Sequence, residues 1–304
     1  MMNGENTKAY LALAVVCTVW GTTYLGMRIG VETFPPLLFS GVRHTSAAIV
    51  LFLFLKSTGR FSAFSSSEVL RQVLPGVLMV GLGNGLIGWS GRYIPSGLAA
   101  LITSVMPLYV VGINFVSGID RKMPHPLVLL GLLLGCGGVM LIFKDNLQDL
   151  GNPDYLAGVL VVFLGGLSWA AGSVFTKQRP TPGNALSNAT IQLGSGGLAL
   201  LLASPFFDNM DELRTISAES IYALLYLIVF GSLLAFACYL YALEKLPVGL
   251  VSVYAYINPF IALALGAIVL GEKITVMTAL ALLGTLGGVY FINKGYTVSK
   301  NKST

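Results

Sequence analysis

Charge is what this 304-residue chain has least of: Asp, Glu, Lys and Arg make up 10% of it, against about 25% in a soluble globular domain. So few charged side chains do not cover a soluble surface of this size, which excludes a cytosolic enzyme and most secreted domains. Cysteine is scarce too. Cys17, Cys136 and Cys238 all lie within apolar runs, so they form no disulfide framework. Histidine occurs twice, at 44 and 125. No metal-ligand cluster, nucleophile–base pair or Walker loop is spelled out, so neither catalytic residue nor metal nor cofactor is expected. Basic residues form no patch beyond short loops, and no nucleic-acid partner is expected. Disorder is excluded by a 55% hydrophobic content and a mean hydropathy of +0.79. What remains is an integral membrane protein whose surroundings are the lipid bilayer.

Ten segments are apolar over the roughly 17–25 residues that a spanning helix needs: 9–27, 37–55, 73–90, 97–118, 126–143, 156–175, 186–207, 221–243, 248–270 and 276–293. Their runs are continuously apolar and do not alternate, which favours an all-α protein over a barrel. The first run follows Lys8 and is read as a retained span, since it lacks a small-residue cleavage site. Thirty of the 31 charges fall outside the ten segments, and the exception is Arg43. With the N-terminus inside, twelve basic residues lie on the cytoplasmic side and five outside, so both termini are expected in the cytoplasm.

The chain also repeats itself. A shift of 149 places Trp20 on Trp169, Arg28 on Lys177 and Arg43 on Gln192. A shift of 152 places Pro95-Ser96-Gly97-Leu98 on Pro247-Val248-Gly249-Leu250, Pro107 on Pro259, and Asp120-Arg121 on Glu272-Lys273. The halves, 1–146 and 147–304, are five-helix units, and an odd helix number inverts the second in the membrane. Inverted repeats mark alternating-access carriers, whose substrate site lies between the repeats near the midplane. An inverted-repeat channel is the alternative.

Specific motifs then point to one family. Val19-Trp20-Gly21-Thr22-Thr23-Tyr24, Phe34-Pro35-Pro36 with Gly41-Val42-Arg43, and Ile94-Pro95-Ser96-Gly97-Leu98-Ala99-Ala100 leading to Pro107 resemble the EamA family of the drug/metabolite transporter (DMT) superfamily. Leu167-Ser168-Trp169-Ala170-Ala171-Gly172-Ser173, Tyr256-Ile257-Asn258-Pro259 and Leu270-Gly271-Glu272 repeat the pattern. The resemblance covers nearly the whole chain and is closest to bacterial inner-membrane exporter-type permeases. It implies ten transmembrane helices as two inverted EamA repeats, and efflux of small organic metabolites, amino acids or drugs. Members close to this pattern can carry an acidic residue late in the third helix. Here Trp89-Ser90-Gly91 stands there, which argues against carboxylate-based proton coupling.

Arg43 is the first candidate for a site. A charge within a span costs roughly 2.5–3.5 kcal/mol on the insertion scale, so by default it signals function. Facing the cavity, it would hold a substrate carboxylate. Its Cα lies only about 9 Å from the helix start, so snorkelling to the interface stays open as well. His44 beside it titrates near physiological pH; it serves either proton coupling or, more commonly, a hydrogen bond to a neighbouring helix. Pro107 and Pro259 lie mid-helix, where each frees the carbonyl four residues back (Thr103, Ala255) and is expected to kink or open its helix as a hinge. Trp20 and Trp169, with polar neighbours, suit a cavity wall. Gln192 is the neutral counterpart of Arg43. The expected substrate-binding set is Trp20, Thr23, Tyr24, Arg43, Asn84, Thr103, Trp169, Gln192, Tyr254, Tyr256 and Asn258. Glycines four apart (81 and 85, 131 and 135, 284 and 288) suit close helix packing. Those of helices five and ten serve either the chain itself or a homodimer face. The expected function is a secondary carrier of small organic solutes, with a passive channel or a non-transporting subunit of a membrane complex as rivals.

Overall fold

The computed structural model describes residues 4–119, 125–145, 149–246, 251 and 254–301. All regular structure among them is helical. In chain order the helices are α1 (Gly4–Gly30), α2 (Pro36–Ser57), α3 (Ser66–Ser90), α4 (Ser96–Val116), α5 (Pro126–Asp145), α6 (Pro153–Gln178), α7 (Ala185–Phe207), α8 (Ala218–Lys245), α9 (Tyr254–Leu270) and α10 (Val276–Asn301). Among the described residues seven of them, α1–α4 and α6–α8, are long and apolar enough to cross a membrane, and the apolar parts of the other three are shorter. Large apolar side chains such as Leu11, Leu53, Leu202, Phe206 and Ile268 are exposed, an arrangement that water penalises and hydrocarbon does not.

Local chemistry sets the helix starts. Ser65 and Glu68 form a reciprocal capping box at α3, and Asn184 and Ser217 cap α7 and α8, each satisfying amides that a helix N-terminus leaves free. Two starts are capped from the other repeat. The Asp208 carboxylate accepts from the amides of Leu37 and Leu38 at 3.2 and 2.8 Å. Glu272 accepts from the Ser96 and Gly97 amides and the Ser96 hydroxyl at 2.9–3.3 Å. Glu272 follows Gly271, whose φ of +67° gives the left-handed turn that ends α9.

The repeats interlock. The most extensive helix pair is α5 with α10, and α2 packs along α7, so the second and the fifth helices each pack on their own counterparts. The first helices are exchanged: α1 lies on α8 and α9, and α6 on α3 and α4. Gly131 and Gly138 of α5 face Gly288 and Thr285 of α10 so closely that an added Cβ would meet backbone. The small-residue faces of these helices are thus spent within the chain. One device recurs in both halves. Arg28 at the end of α1 donates to the Gly91 carbonyl at the end of α3. Lys177 at the end of α6 donates to the carbonyls of Leu243, Glu244 and Leu246 at the end of α8. Each cation meets the negative end of a helix dipole.

The expected hinges behave differently. α4 is interrupted at Ser104 and Val105, and a new segment begins at Met106 with Pro107 in its first turn; the Pro107 ring itself lies outside the described side chains. α9 runs through Pro259 without interruption, contrary to an opening in both helices. Pro259 removes only the amide that would bond the Ala255 carbonyl, and the helix continues across that single missing bond. Unforeseen from the sequence, α3 and α8 each contain a stretch of π-helix, Val77–Asn84 and Leu227–Ala235, at matching places in the two repeats.

Candidate functional site

The site is built on one face of α1. Trp20, Thr23, Tyr24 and Met27 recur at i, i+3, i+4 and i+7, a single helical stripe. They line a cavity completed by Arg43 from α2, Asn84 and Ile87 from α3, Thr103 and Met106 from α4, Trp169 from α6, and Tyr254, Ala255 and Asn258 from α9. Both repeats contribute. Nine of the eleven expected residues therefore meet around one space. The Tyr256 side chain lies outside the described ones. Gln192 is elsewhere: its amide donates to Gln72 Oε1 at 2.6 Å, Gln72 donates to Thr181 at 3.1 Å, and Thr181 to Asn188 at 2.9 Å. Gln72, Thr181 and Asn188 border a separate vestibule of about 420 Å³ with Lys177 and Glu244. This vestibule opens at the end that the charge count assigns to the cytoplasm.

The central cavity is tight, about 60 Å³ of room for water centres. One water needs roughly 10–15 Å³ by that measure, so the described state holds a few small groups and no whole metabolite. Its wall is aromatic and hydroxylic. Trp20 meets Trp169 edge to face, with centroids 5.4 Å apart, and Tyr254 likewise at 5.0 Å. Tyr239 closes the cluster 4.9 Å from Trp20, and its hydroxyl pairs with Ser173 at 2.8 Å. The Tyr24 hydroxyl pairs with Thr103 Oγ1 at 2.5 Å. Asn258 is 2% exposed and its Oδ1 has no hydrogen-bond partner among the described residues, leaving a buried acceptor beside the cavity.

Arg43 does not snorkel. It is 2% exposed; its Nε donates to Ser232 Oγ at 2.9 Å and Nη1 lies 3.2 Å from Met27 Sδ. No carboxylate pairs with it among the described residues. Its Nη2 packs on Gly231, where an added Cβ would come within 2.6 Å of it. Gly231 and Ser232 belong to the π stretch of α8, and a π turn breaks the regular backbone ladder. The Gly231 carbonyl accepts from Trp20 Nε1 at 3.2 Å. The π stretch of α3 is used in the same way, its Leu78 carbonyl accepting from Ser168 Oγ at 2.7 Å. In each repeat the first helix thus ties a polar side chain to the irregular backbone of the other repeat's third helix.

Sequence reasoning missed Met27, Ile87, Met106 and Ala255 on the cavity wall, and Ser232 behind it. For Met27 a signal existed in the stripe that begins at Trp20. For Ser232 none did, because its role depends on where the π turn falls.

Comparison with known proteins agrees with this architecture. The sequence matches the EamA-like transporter family twice, over residues 7–144 and 156–294. The chain belongs to the EamA-like transporter family. Among EamA-type relatives it is similar to the uncharacterized inner membrane transporter YedA of Escherichia coli strain K12, 32% identical over 89% of this chain and 86% of that one. The uncharacterized transporter YoaV of Bacillus subtilis strain 168 is 28% identical over 97% and 99%. A probable amino-acid metabolite efflux pump of Salmonella typhimurium is 25% identical over 96% of each. A solved crystal structure shares the EamA-type fold at a TM-score of 0.66 and 18% identity, covering 94% of this chain and 96% of that one.

Proposed function

We propose that this EamA-type transporter is a ten-helix secondary carrier of the bacterial inner membrane that exports small organic solutes by alternating access. Both termini lie in the cytoplasm, and the repeats, 1–146 and 147–304, move about the cavity between them. The observation that carries the reading is the cavity itself: tight, walled by aromatic and hydroxyl groups from both repeats, and holding the one arginine within the spans. Arg43 binds a cargo carboxylate. Trp20, Trp169 and Tyr254 pack on its apolar part, while Thr23, Tyr24, Asn84, Thr103 and Asn258 supply hydrogen bonds. The tightness of the space favours a carrier over a passive channel, because passage requires the helices to part. Amino acids are the first cargo to try, given the relative named as an efflux pump for amino-acid metabolites. Purified protein in liposomes should give saturable uptake of radiolabelled L-amino acids that accelerates when unlabelled solute is present on the far side. Flux that rises without saturation would refute the carrier.

A further inference from the structure

Pro107 in α4 and Pro259 in α9 hold equivalent places in the two repeats. A proline brings no amide to the carbonyl four residues before it, which belongs to Thr103 in one repeat and to Ala255 in the other. Both of these residues line the central cavity. The amides of Ser104, Val105 and Leu108 go to the carbonyls of Ala100, Ile102 and Val105, so none of them takes the place that Pro107 leaves at Thr103. On α9, Ala255 shares the cavity face with Asn258, about one turn on. The buried Oδ1 of Asn258 has no partner among the described residues. Three oxygens that accept, each short of its usual donor, therefore border one space.

We propose that these oxygens form the subsite for the cargo's amino group, an ammonium held by Asn258 Oδ1 and by the proline-freed carbonyls of Ala255 and Thr103. The inference rests on the carrier reading and deepens it: the cargo is a zwitterion whose carboxylate meets Arg43, not a plain carboxylic acid. An ammonium carries three N–H donors and no acceptor, so it matches a set made wholly of acceptors. A hydroxyl brings one donor and leaves the other oxygens unmet. Bonds from a charged donor are roughly twice as strong as neutral ones, and the faces of Trp20, Trp169 and Tyr254 on the same wall favour a cation further. No acidic residue lies within the ten spans, and the neutral oxygens explain how the site does without one. A carboxylate here would pair with Arg43 and occupy both ends of the site before cargo arrived.

This gives the prolines a role other than bending. α9 runs through Pro259 without interruption, so what the residue contributes there is the missing amide. The symmetry of the subsite is incomplete. The position equivalent to Asn258 in the first repeat is Met106, which also lies on the cavity wall. The amide oxygen is thus present once, and the site has a direction. The space of about 60 Å³ takes a group the size of an ammonium as it stands, while the rest of a cargo requires the helices to part.

The test is titration calorimetry on the purified full chain with three probes: leucine, 4-methylpentanoate, which lacks the amino group, and 3-methylbutylamine, which lacks the carboxylate. Leucine should bind the wild type about tenfold more tightly than 4-methylpentanoate does. Asn258→Leu should weaken leucine about tenfold. Pro259→Ala gives the Ala255 carbonyl its amide back. Since that oxygen keeps a second lone pair, leucine should weaken by about threefold, and the variant should melt no lower than the wild type. Both variants should bind 4-methylpentanoate within about twofold of the wild type. Arg43→Met isolates the amino subsite: it should bind 3-methylbutylamine more tightly than the wild type, whose cation opposes a lone ammonium. Adding Asn258→Leu should reverse that gain. Leucine that fails to bind, or binds no better than 4-methylpentanoate, overturns the subsite, as does equal weakening of both probes by the substitutions. Amine binding to Arg43→Met that Asn258→Leu leaves unchanged overturns it too, even where the liposome assay upholds the carrier. Unsaturable flux in liposomes with the amine results intact overturns the carrier and leaves the subsite standing.

Discussion

Arg43→Met separates a binding role from a structural one. The guanidinium is buried, and no carboxylate pairs with it among the described residues. Its charge costs roughly 2.5–3.5 kcal/mol within a span. The bond to Ser232 Oγ at 2.9 Å is charge-assisted and returns about 1.5–3 kcal/mol, and the Met27 sulfur adds little. The balance is near zero or up to about 2 kcal/mol against the arginine. Methionine fills most of the stem's volume without the charge, and exchanging a buried ion for an apolar isostere is often neutral or stabilising. Each kcal/mol moves the midpoint of a chain this large by about 2–4 °C, so Arg43→Met should melt at the wild-type temperature or up to about 8 °C higher. It should also lose carboxylate binding. Thermal unfolding followed by tryptophan fluorescence, with a parallel benzoate titration, reads both. A drop of more than about 4 °C would show that the cation holds the fold together and would remove the argument that it is retained for cargo.

Two further substitutions probe the scaffold. Trp20→Phe keeps the edge-to-face contacts but leaves the Gly231 carbonyl of the π turn without its 3.2 Å partner. It should cost about 1–3 kcal/mol, and an unchanged melt would mean that this carbonyl is satisfied otherwise. Adjacent glycines of α10 make an internal control. A Cβ on Gly288 would meet the Gly131 carbonyl and the Gly135 amide at 2.6 Å, whereas one on Gly287 meets nothing within 4 Å. Gly288→Ala should lose about 1–3 kcal/mol by overpacking, and Gly287→Ala should lose nothing. Equal melts would show that α5 and α10 pack less tightly than described.

Much of this was legible because membrane helices advertise their length and repeats advertise their pairing. The shift that set Trp20 on Trp169 picked out two rings that meet, and the single intramembrane arginine led to the cavity. The same arithmetic was less informative for Gln192. It is the counterpart of Arg43 by position, but inversion carries it toward the opposite end of the molecule, where it pairs with Gln72. The π turns were illegible because a one-residue change in hydrogen-bond phase leaves no mark in composition. Pro107 and Pro259 read alike, yet only α4 is interrupted; a proline removes a bond, and the neighbouring helices decide whether the chain opens.

The pairing of α2 with α7 and of α5 with α10 also governs how the protein is made. Each partner is synthesised roughly 150 residues after its mate, about 8–30 s later at ordinary rates of elongation. Until then α2 and α5 wait in the bilayer with small-residue faces uncovered, and α5 finds its mate only when α10 arrives. Assembly therefore waits on the second repeat, and a nascent chain stopped short of α10 leaves the most extensive interface among the described residues unmade.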